Sequence, residues 1–442
     1  MKIQLSDHFT YKKLIRFTFP SIVMMLFTSI YSVVDGLFIS NVVGETAFAS
    51  INLIFPYCMI FGAIGSLFGV GGSALVALVR GQGDDDRANR IFSMLIYAVI
   101  VLGIVLAIVS ELFLPTAARL FGATGEMLHN CITYGRIMLF TLPAFMLQYG
   151  FQSFMITAER PQLGLLFTVV AGVTNMILDW LFIAVFRWGL VGAAAATCTG
   201  QCVGGIGPLC YFLFARKCPL KLVKTRFMPK EFLKAASNGT AECVTQLAMS
   251  VVSIVFNAQL LRYIGEYGVS AYGIIMYVNF FFVAVFLGYS MGVAPVFSYH
   301  YGTGLKEELQ GLFRKSIIML SIASVLLTAL ALLASHTVAS FFAGYDEEFL
   351  AISTKALRLY SLGYIFAGIN IFTFNLFAAL NNGPLSGFLS ALRTVVFQLI
   401  AVFVLPLFLG ADGIWLTMLV SDSCLLIISI IVLRRQQPRY GY

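Results

Sequence analysis

The chain is short of charge. Lys, Arg, Asp and Glu together make up 11% of its 442 residues, against about a quarter in ordinary soluble proteins, which excludes a cytosolic globular domain. Histidine is scarcer still: His8, His129, His300 and His336 are the whole set, they fall at or near the ends of apolar runs, and none stands at metal-ligand spacing. A membrane-embedded enzyme would show His/Asp metal spacing or a nucleophile with a base, and neither is present. The eight cysteines form no CxxC pair and lie mostly inside apolar segments, so they read as small apolar fillers and not as a disulfide framework or a zinc site. No sizeable polar segment is available to fold in water, which disfavours a receptor or scaffold. The glycines of GSLFGVGGSAL sit in an apolar run, where they permit close helix approach and do not make a phosphate loop.

What fills the chain instead is hydrocarbon. Hydrophobic residues are 60% of the total, and stretches such as SMLIYAVIVLGIVLAIVSELFL exceed the roughly 18 to 20 apolar residues that cross a bilayer as a helix. Twelve such spans are expected, near 14–40, 46–79, 90–113, 131–157, 162–186, 190–215, 232–262, 269–300, 313–335, 352–378, 385–409 and 412–433. The first follows MKIQLSDHFTYKKLIR and continues far beyond a signal-peptide core with no small-residue cleavage site, so it is expected to stay attached. Placing both termini in the cytoplasm puts most of the 28 Lys and Arg on that side, a positive-inside bias. The net charge of +8 is then explained by KLVKTRFMPK and LRRQQPR beside anionic lipid, and no nucleic-acid partner is needed. The expected location is the plasma (inner) membrane, as a multi-pass protein and a monomer.

The basic loop ARKCPLKLVKTRFMPKEFLK divides the chain nearly in half. It is read as a linker, 216–231, between an N-terminal six-helix lobe, 1–215, and a C-terminal one, 232–442. GETAFASINLIFPYCMIFGAIGSLFGVGGSALVALVRGQGDDDRANRIF aligns without gaps on GEYGVSAYGIIMYVNFFFVAVFLGYSMGVAPVFSYHYGTGLKEELQGLF, matching Gly44 to Gly265, Gly71 to Gly292, Gly81 to Gly302 and Phe92 to Phe313. Six spans is an even number, so the second copy enters the membrane in the same orientation, giving a parallel repeat about an axis along the membrane normal. The expected fold class is therefore an all-α polytopic membrane protein of twelve transmembrane helices in two bundles. Rocking the bundles would open the cleft between them to each side in turn, which is alternating access.

A charge at the centre of a span costs roughly 2.5 to 3.5 kcal/mol on insertion scales, so each one kept there has a partner, a cavity or a task. Asp35 lies in the outer half of span one; Asn175 and Asp179 reach comparable depth on one face of span five, and Thr197 of span six falls there too. Together they make a candidate site for a proton or a shared monovalent cation, since two carboxylates in a dry pocket repel one another. The bland alternatives are an interhelically hydrogen-bonded Asp and, for Thr197, helix packing. Under the repeat, Asp35 and Asp179 map to Phe256 and Ile400, so the lobes are specialised. In the second lobe, Glu242 and Arg393 enter to similar depth and are expected to form a buried ion pair, either structural or for gating or substrate contact; Tyr31 and Asn279 are further candidates for gating or substrate contact. Pro20 removes a backbone hydrogen bond in span one, fifteen residues before Asp35, and permits a bend or a static kink.

These features together resemble the multidrug and toxic compound extrusion (MATE) family, in particular its bacterial MepA-like branch, over nearly the whole chain. The likeness rests on FPSIVMMLFTSIYSVVDGLFIS, GVGGSALVALVRGQGDDDRA, TNMILDWLFI, NGTAECVTQLAMSVVSIVFNAQL and AYGIIMYVNFFFVAVFLGYSMGVAPVFSYHYG. It implies export of amphipathic, usually cationic, compounds against inward flow of H⁺ or Na⁺, with no cofactor and no metal beyond Na⁺ at Asp35 and Asp179. In the family's prokaryotic members a first-helix Asp, a fifth-helix Asn and Asp and a sixth-helix Thr form the cation site, matching Asp35, Asn175, Asp179 and Thr197, and a bending first-helix Pro matches Pro20. One departure stands out: the sodium-coupled branch carries a seventh-helix Glu well after a GxP motif, whereas here Thr240 replaces that Pro and Glu242 follows two residues later, so Glu242 does not inherit that role. The expected function is a secondary antiporter and not an enzyme. The alternative within the superfamily, a lipid-linked saccharide flippase, would need a cluster of cleft-facing Arg or Lys, of which only Arg393 is suitably placed.

Overall fold

The computed structural model describes residues 3–38, 43, 45–214, 218–344 and 346–442, and all regular structure among them is helical. Helix is the required outcome for these runs, because hydrocarbon offers no partner to an unpaired N–H or C=O and only a helix satisfies its backbone within one segment. The order is α1 Tyr11–Phe38, α2 Glu45–Gly81, α3 Asp85–Leu120, α4 Gly125–Phe140, α5 Leu142–Thr157, α6 Pro161–Asp179, α7 Gly189–Phe214, α8 Pro229–Asn238, α9 Thr240–Tyr263, α10 Glu266–Thr303, α11 Lys306–Ala343, α12 Glu347–Ser361, α13 Tyr364–Ala379, α14 Gly383–Ala391, α15 Gln398–Leu409, α16 Ala411–Trp415 and α17 Thr417–Tyr440. Polar caps start some of them where the sequence offers an Asp: Asp84 accepts from the Arg87 N–H and Asp346 from the Phe349 N–H, each at 2.9 Å.

Among the described residues, ten helices or continuous helix pairs are long and apolar enough to cross a membrane, and α12 with α13, bent by 45°, adds an eleventh. This is a multi-pass membrane protein. The remaining expected crossing, 131–157, is divided into α4 and α5 at Thr141, where Pro143 in the first turn of α5 supplies no N–H to continue the helix of α4. Two wide π-helical turns interrupt otherwise regular helices: Trp180–Val185 follows directly on Asp179, and Leu392–Phe397 holds Arg393 and joins α14 to α15. The linker boundary expected at 215/216 lies outside the described residues.

Buried side chains separate into two hydrophobic cores. One is built from α2 to α5 and α7 with Ala235 of α8, the other from α9 to α17 together with Ile156 of α5. Helix α1 is shared between them. Leu14 and Phe17 belong to the second core, whereas further along the helix Phe27 and Tyr31 pack on α6. Pro20 sits, buried, between these two attachments and α1 runs through it without a break.

The cores meet most closely at the end of the bundle that carries both termini. There, a Cβ on Gly302 of α10 would lie 2.2 Å from the Leu78 carbonyl oxygen of α2, a spacing only glycine allows. Asn238 of α8 donates to Asn381 at 2.7 Å. The chain before α1 caps this seam: Leu5 and Phe9 are wholly buried, the Leu5 N–H donates to Glu159 at 3.3 Å, Lys315 donates to the Phe9 carbonyl at 2.6 Å, and His8 pairs with Glu308. Arg80 anchors the same Glu159 at 3.2 Å.

Candidate functional site

Three helices of the first half build the site. On α6, the absence of a side chain at Gly172 admits the Phe27 and Tyr31 rings of α1, since a Cβ there would stand 2.6 Å and 3.2 Å from them. On α7, Gly200 lies against the Ala171 carbonyl and the Asn175 Cβ, each 3.0 Å from where its own Cβ would be. These two contacts pull α1, α6 and α7 together at one level, and the polar side chains of that level follow.

Asp35 of α1 comes within interaction range of Asp179 and Asn175 of α6. Asn175 and Asp179 are 3% and 0% exposed, values that leave bulk water out of the pocket. Asp35 Oδ1, both oxygens of Asp179 and both amide atoms of Asn175 are buried, and the partners nearest to Asp35 are Asp179 and Asn175 themselves. Buried polar groups in proteins are almost always paired, and two carboxylates facing one another here are relieved by a shared proton or a cation. Beside it is a cavity of about 40 Å³, lined among others by Tyr31, Asn175, Thr197, Gln148 and Tyr149. That is room for water or a small ion and not for an organic molecule. The Thr197 hydroxyl donates to the Ala193 carbonyl of its own helix at 3.0 Å, which occupies its hydrogen and not its acceptor lone pairs. Two carboxylates, an amide oxygen and a hydroxyl oxygen form a hard donor set suited to H⁺ or a small cation. Among the described residues no group of three or more His, Cys, Asp and Glu is arranged as a metal centre.

The structure thus brings together Asp35, Asn175, Asp179, Thr197 and Tyr31. Asn279 lies apart from them on α10, buried, with Oδ1 unpartnered.

The expected ion pair between Glu242 and Arg393 is not formed. Arg393 binds Asp422 of α17 in a two-pronged pair, Nε to Oδ1 at 2.7 Å and Nη2 to Oδ2 at 3.1 Å, and Asn370 of α13 donates to the same Oδ1 at 3.0 Å. Ser429 donates to Asn370 at 3.2 Å and completes the network. Glu242 instead accepts from Gln246, one turn along its own helix, at 3.1 Å. Depth along the membrane brought Glu242 and Arg393 to one level, but the face of each helix decides the partner. Asp422 and Asn370 escaped the sequence reading although SDSCLLI places a lone carboxylate in an apolar run, the same signal that singled out Asp35.

The MatE family model matches this chain twice, over residues 20–181 and 242–404. The chain is 24% identical over 418 residues to the multidrug export protein MepA of Staphylococcus haemolyticus, covering 93% of this chain and 91% of that protein. It is 23% identical to MepA of Staphylococcus aureus strain MRSA252, covering 96% and 93%. In three dimensions it is similar to the outward-facing conformation of a multidrug resistance MATE family transporter of the MOP superfamily, with a TM-score of 0.93 at 22% identity over 99% of this chain and 98% of the other. It is also similar to a MATE crystal structure in the bent conformation, with a TM-score of 0.90 at 21% identity over 99% and 97%. At these identities the structural likeness speaks for the fold alone.

Proposed function

This chain belongs to the MatE family, and on that footing we propose that it is a secondary active antiporter that exports amphipathic, cationic small molecules in exchange for H⁺ or Na⁺. The observation that carries the coupling part is the cluster of buried oxygens that Asp35, Asp179 and Asn175 turn toward one another. A group of this kind is stabilised by uptake of a cation, and uptake is useful to a transporter only if it moves something. Helix α1 is the means. Its inner part is seated in the second core by Leu14 and Phe17, its outer part carries Asp35 against α6, and Pro20 lies between. Binding at Asp35 would draw the outer part toward α6, and Pro20, which lacks a backbone N–H, would let α1 bend and carry that movement to the seam between the two halves.

In the orientation expected from the distribution of Lys and Arg, the sealed end is the cytoplasmic one. The two halves, 1–215 and 232–442, then act as the rocking bodies around a central cleft, with 216–231 as the connection. Inner-membrane location with both termini cytoplasmic is part of the same reading. The MepA names of the similar proteins support the multidrug part. The test is dye efflux by the wild type in vesicles under an imposed pH gradient or an imposed Na⁺ gradient. Efflux driven by neither would overturn the antiport reading, and the gradient that works identifies the ion.

A further inference from the structure

Helix α3 carries an apolar stripe that ends in a charge. Ile104, Ala107, Ile108 and Glu111 stand at the i, i+3, i+4 and i+7 positions of one helix face, and with Leu139 and Phe140 of α4 they line a groove of about 480 Å³. Arg136 of α4 sits at its rim, with Nε 2.5 Å from Glu111 Oε1. Toward the middle of the bundle α3 and α5 touch: a Cβ on Gly103 would stand 2.7 Å from the Pro143 Cα, which sets the floor of the groove. The division of the chain at Thr141 shapes one wall, since Phe140 ends α4 and is 86% exposed. Ile104 and Ile108 are exposed among the equally exposed Val101, Val105 and Leu112, so the groove opens sideways into the bilayer.

The depth of the charged rim follows from the sequence on both of its sides. The run 91–110, without a charge, separates Arg90 from Glu111, and the run 137–158, also without one, separates Arg136 from Glu159 at the end that carries the termini. At about 1.5 Å per residue each run measures roughly 30 Å, the thickness of the hydrocarbon. The ion pair therefore lies at headgroup level on the side opposite the termini, and Ile108, Ala107 and Ile104 descend from it by about 5–10 Å into the acyl region.

Apolar walls below a charged rim fit an amphiphile that stands along the bilayer normal. Among the described residues only Nε of the Arg136 guanidinium is bonded, which leaves its two Nη groups for the forked recognition of a phosphate. Glu111 repels a second negative charge and accepts from an ammonium. We propose that this groove binds one phospholipid of the leaflet opposite the termini, with its phosphate on Arg136, its headgroup amine on Glu111 and an acyl chain along α3 as far as Pro143. Phosphatidylethanolamine, whose zwitterion matches the pair, is the preferred class, and phosphatidylglycerol, which lacks the amine, fits less well. The lipid fills the notch beside the division of α4 from α5. This site does not depend on the efflux reading.

The experiment is native mass spectrometry of the purified full chain in detergent, titrated with palmitoyl-oleoyl phosphatidylethanolamine or with phosphatidylglycerol of the same chains. Wild type is expected to retain one phosphatidylethanolamine per chain and to prefer it to phosphatidylglycerol. Arg136→Gln is expected to raise the dissociation constant about fivefold or more, because a charged bond to phosphate is lost. Ala107→Phe, which fills the groove and leaves the ion pair in place, should weaken retention to a similar degree, whereas Leu112→Ala, outside the groove, should bind as wild type does. Glu111→Gln should move the preference toward phosphatidylglycerol. Unchanged affinity in Arg136→Gln, a preference for phosphatidylglycerol in the wild type, or an unchanged preference in Glu111→Gln overturns the assignment. So does full retention by Ala107→Phe, a result that holds even if the charge variants fold poorly.

Discussion

Removing either member of the Arg393 and Asp422 pair will destabilise the protein far more than removing both. The pair is 8% and 1% exposed at its side chains, with two short parallel bonds and a third from Asn370 to the same oxygen. Two effects compete in setting the size. A lost hydrogen bond between membrane helices is worth only about 0.6 kcal/mol on average, because a chain unfolded within the membrane finds other partners. An orphaned buried charge costs about 3–5 kcal/mol, and this second effect dominates. Arg393→Leu and Asp422→Leu are each expected to cost about 3–5 kcal/mol. The double variant Arg393→Leu with Asp422→Leu leaves no charge behind and is expected to lie within about 1–2 kcal/mol of wild type, since a hydrophobic pair often replaces a buried ion pair at little cost. Asn370→Ala, which removes a neutral donor, is expected to cost about 1 kcal/mol. Reversible unfolding in bicelles, analysed as a double-mutant cycle, measures all four. Additive single-variant losses would refute the reasoning, because independent contributions mean that the two charges do not compensate each other.

Two other predictions concern the ends of the molecule. Phe9→Ala removes a fully buried ring that lies edge-on to Phe17 at 5.7 Å and to His300 at 6.4 Å; the loss of up to about 3–5 kcal/mol falls on the form closed at the termini-bearing end, so spin-label distances across α2 and α10 should lengthen at that end, and an unchanged distribution would contradict the capping role of residues 3–10. The Asp346 carboxyl, at the exposed start of α12, is held below its ordinary value by the Phe349 N–H and then by the Tyr267 hydroxyl. A depressed acid contributes stability that is present above its ordinary value and is lost as pH falls through the native one. The melting temperature of wild type should therefore exceed that of Asp346→Asn at neutral pH and converge with it in strong acid, and a constant gap across pH would show that the charge is irrelevant.

Much of this architecture is legible from hydropathy, because lipid leaves the chain few choices. The long runs specify helices. What the runs do not carry is how a helix is broken. The division at Thr141 and the π turns after Asp179 and at Arg393 depend on how neighbours seat against the backbone, and an apolar run looks the same with or without them. The same limit separates the two polar predictions. Asp35, Asn175, Asp179 and Thr197 meet because Gly172 and Gly200 bring α1, α6 and α7 into contact at the level where those side chains lie. Glu242 and Arg393 share a depth but face different neighbours, since a rise of about 1.5 Å per residue fixes height along a helix and says nothing of the direction in which a side chain points.

The central claim is that Asp35 and Asp179 take up the ion that drives export. Its most direct test is gradient-driven dye efflux from vesicles carrying equal amounts of wild type, Asp35→Asn and Asp179→Asn, with dye binding measured on the same preparations. The account predicts that both variants bind dye and lose nearly all of the gradient-driven component; full gradient-driven efflux by either variant would contradict it.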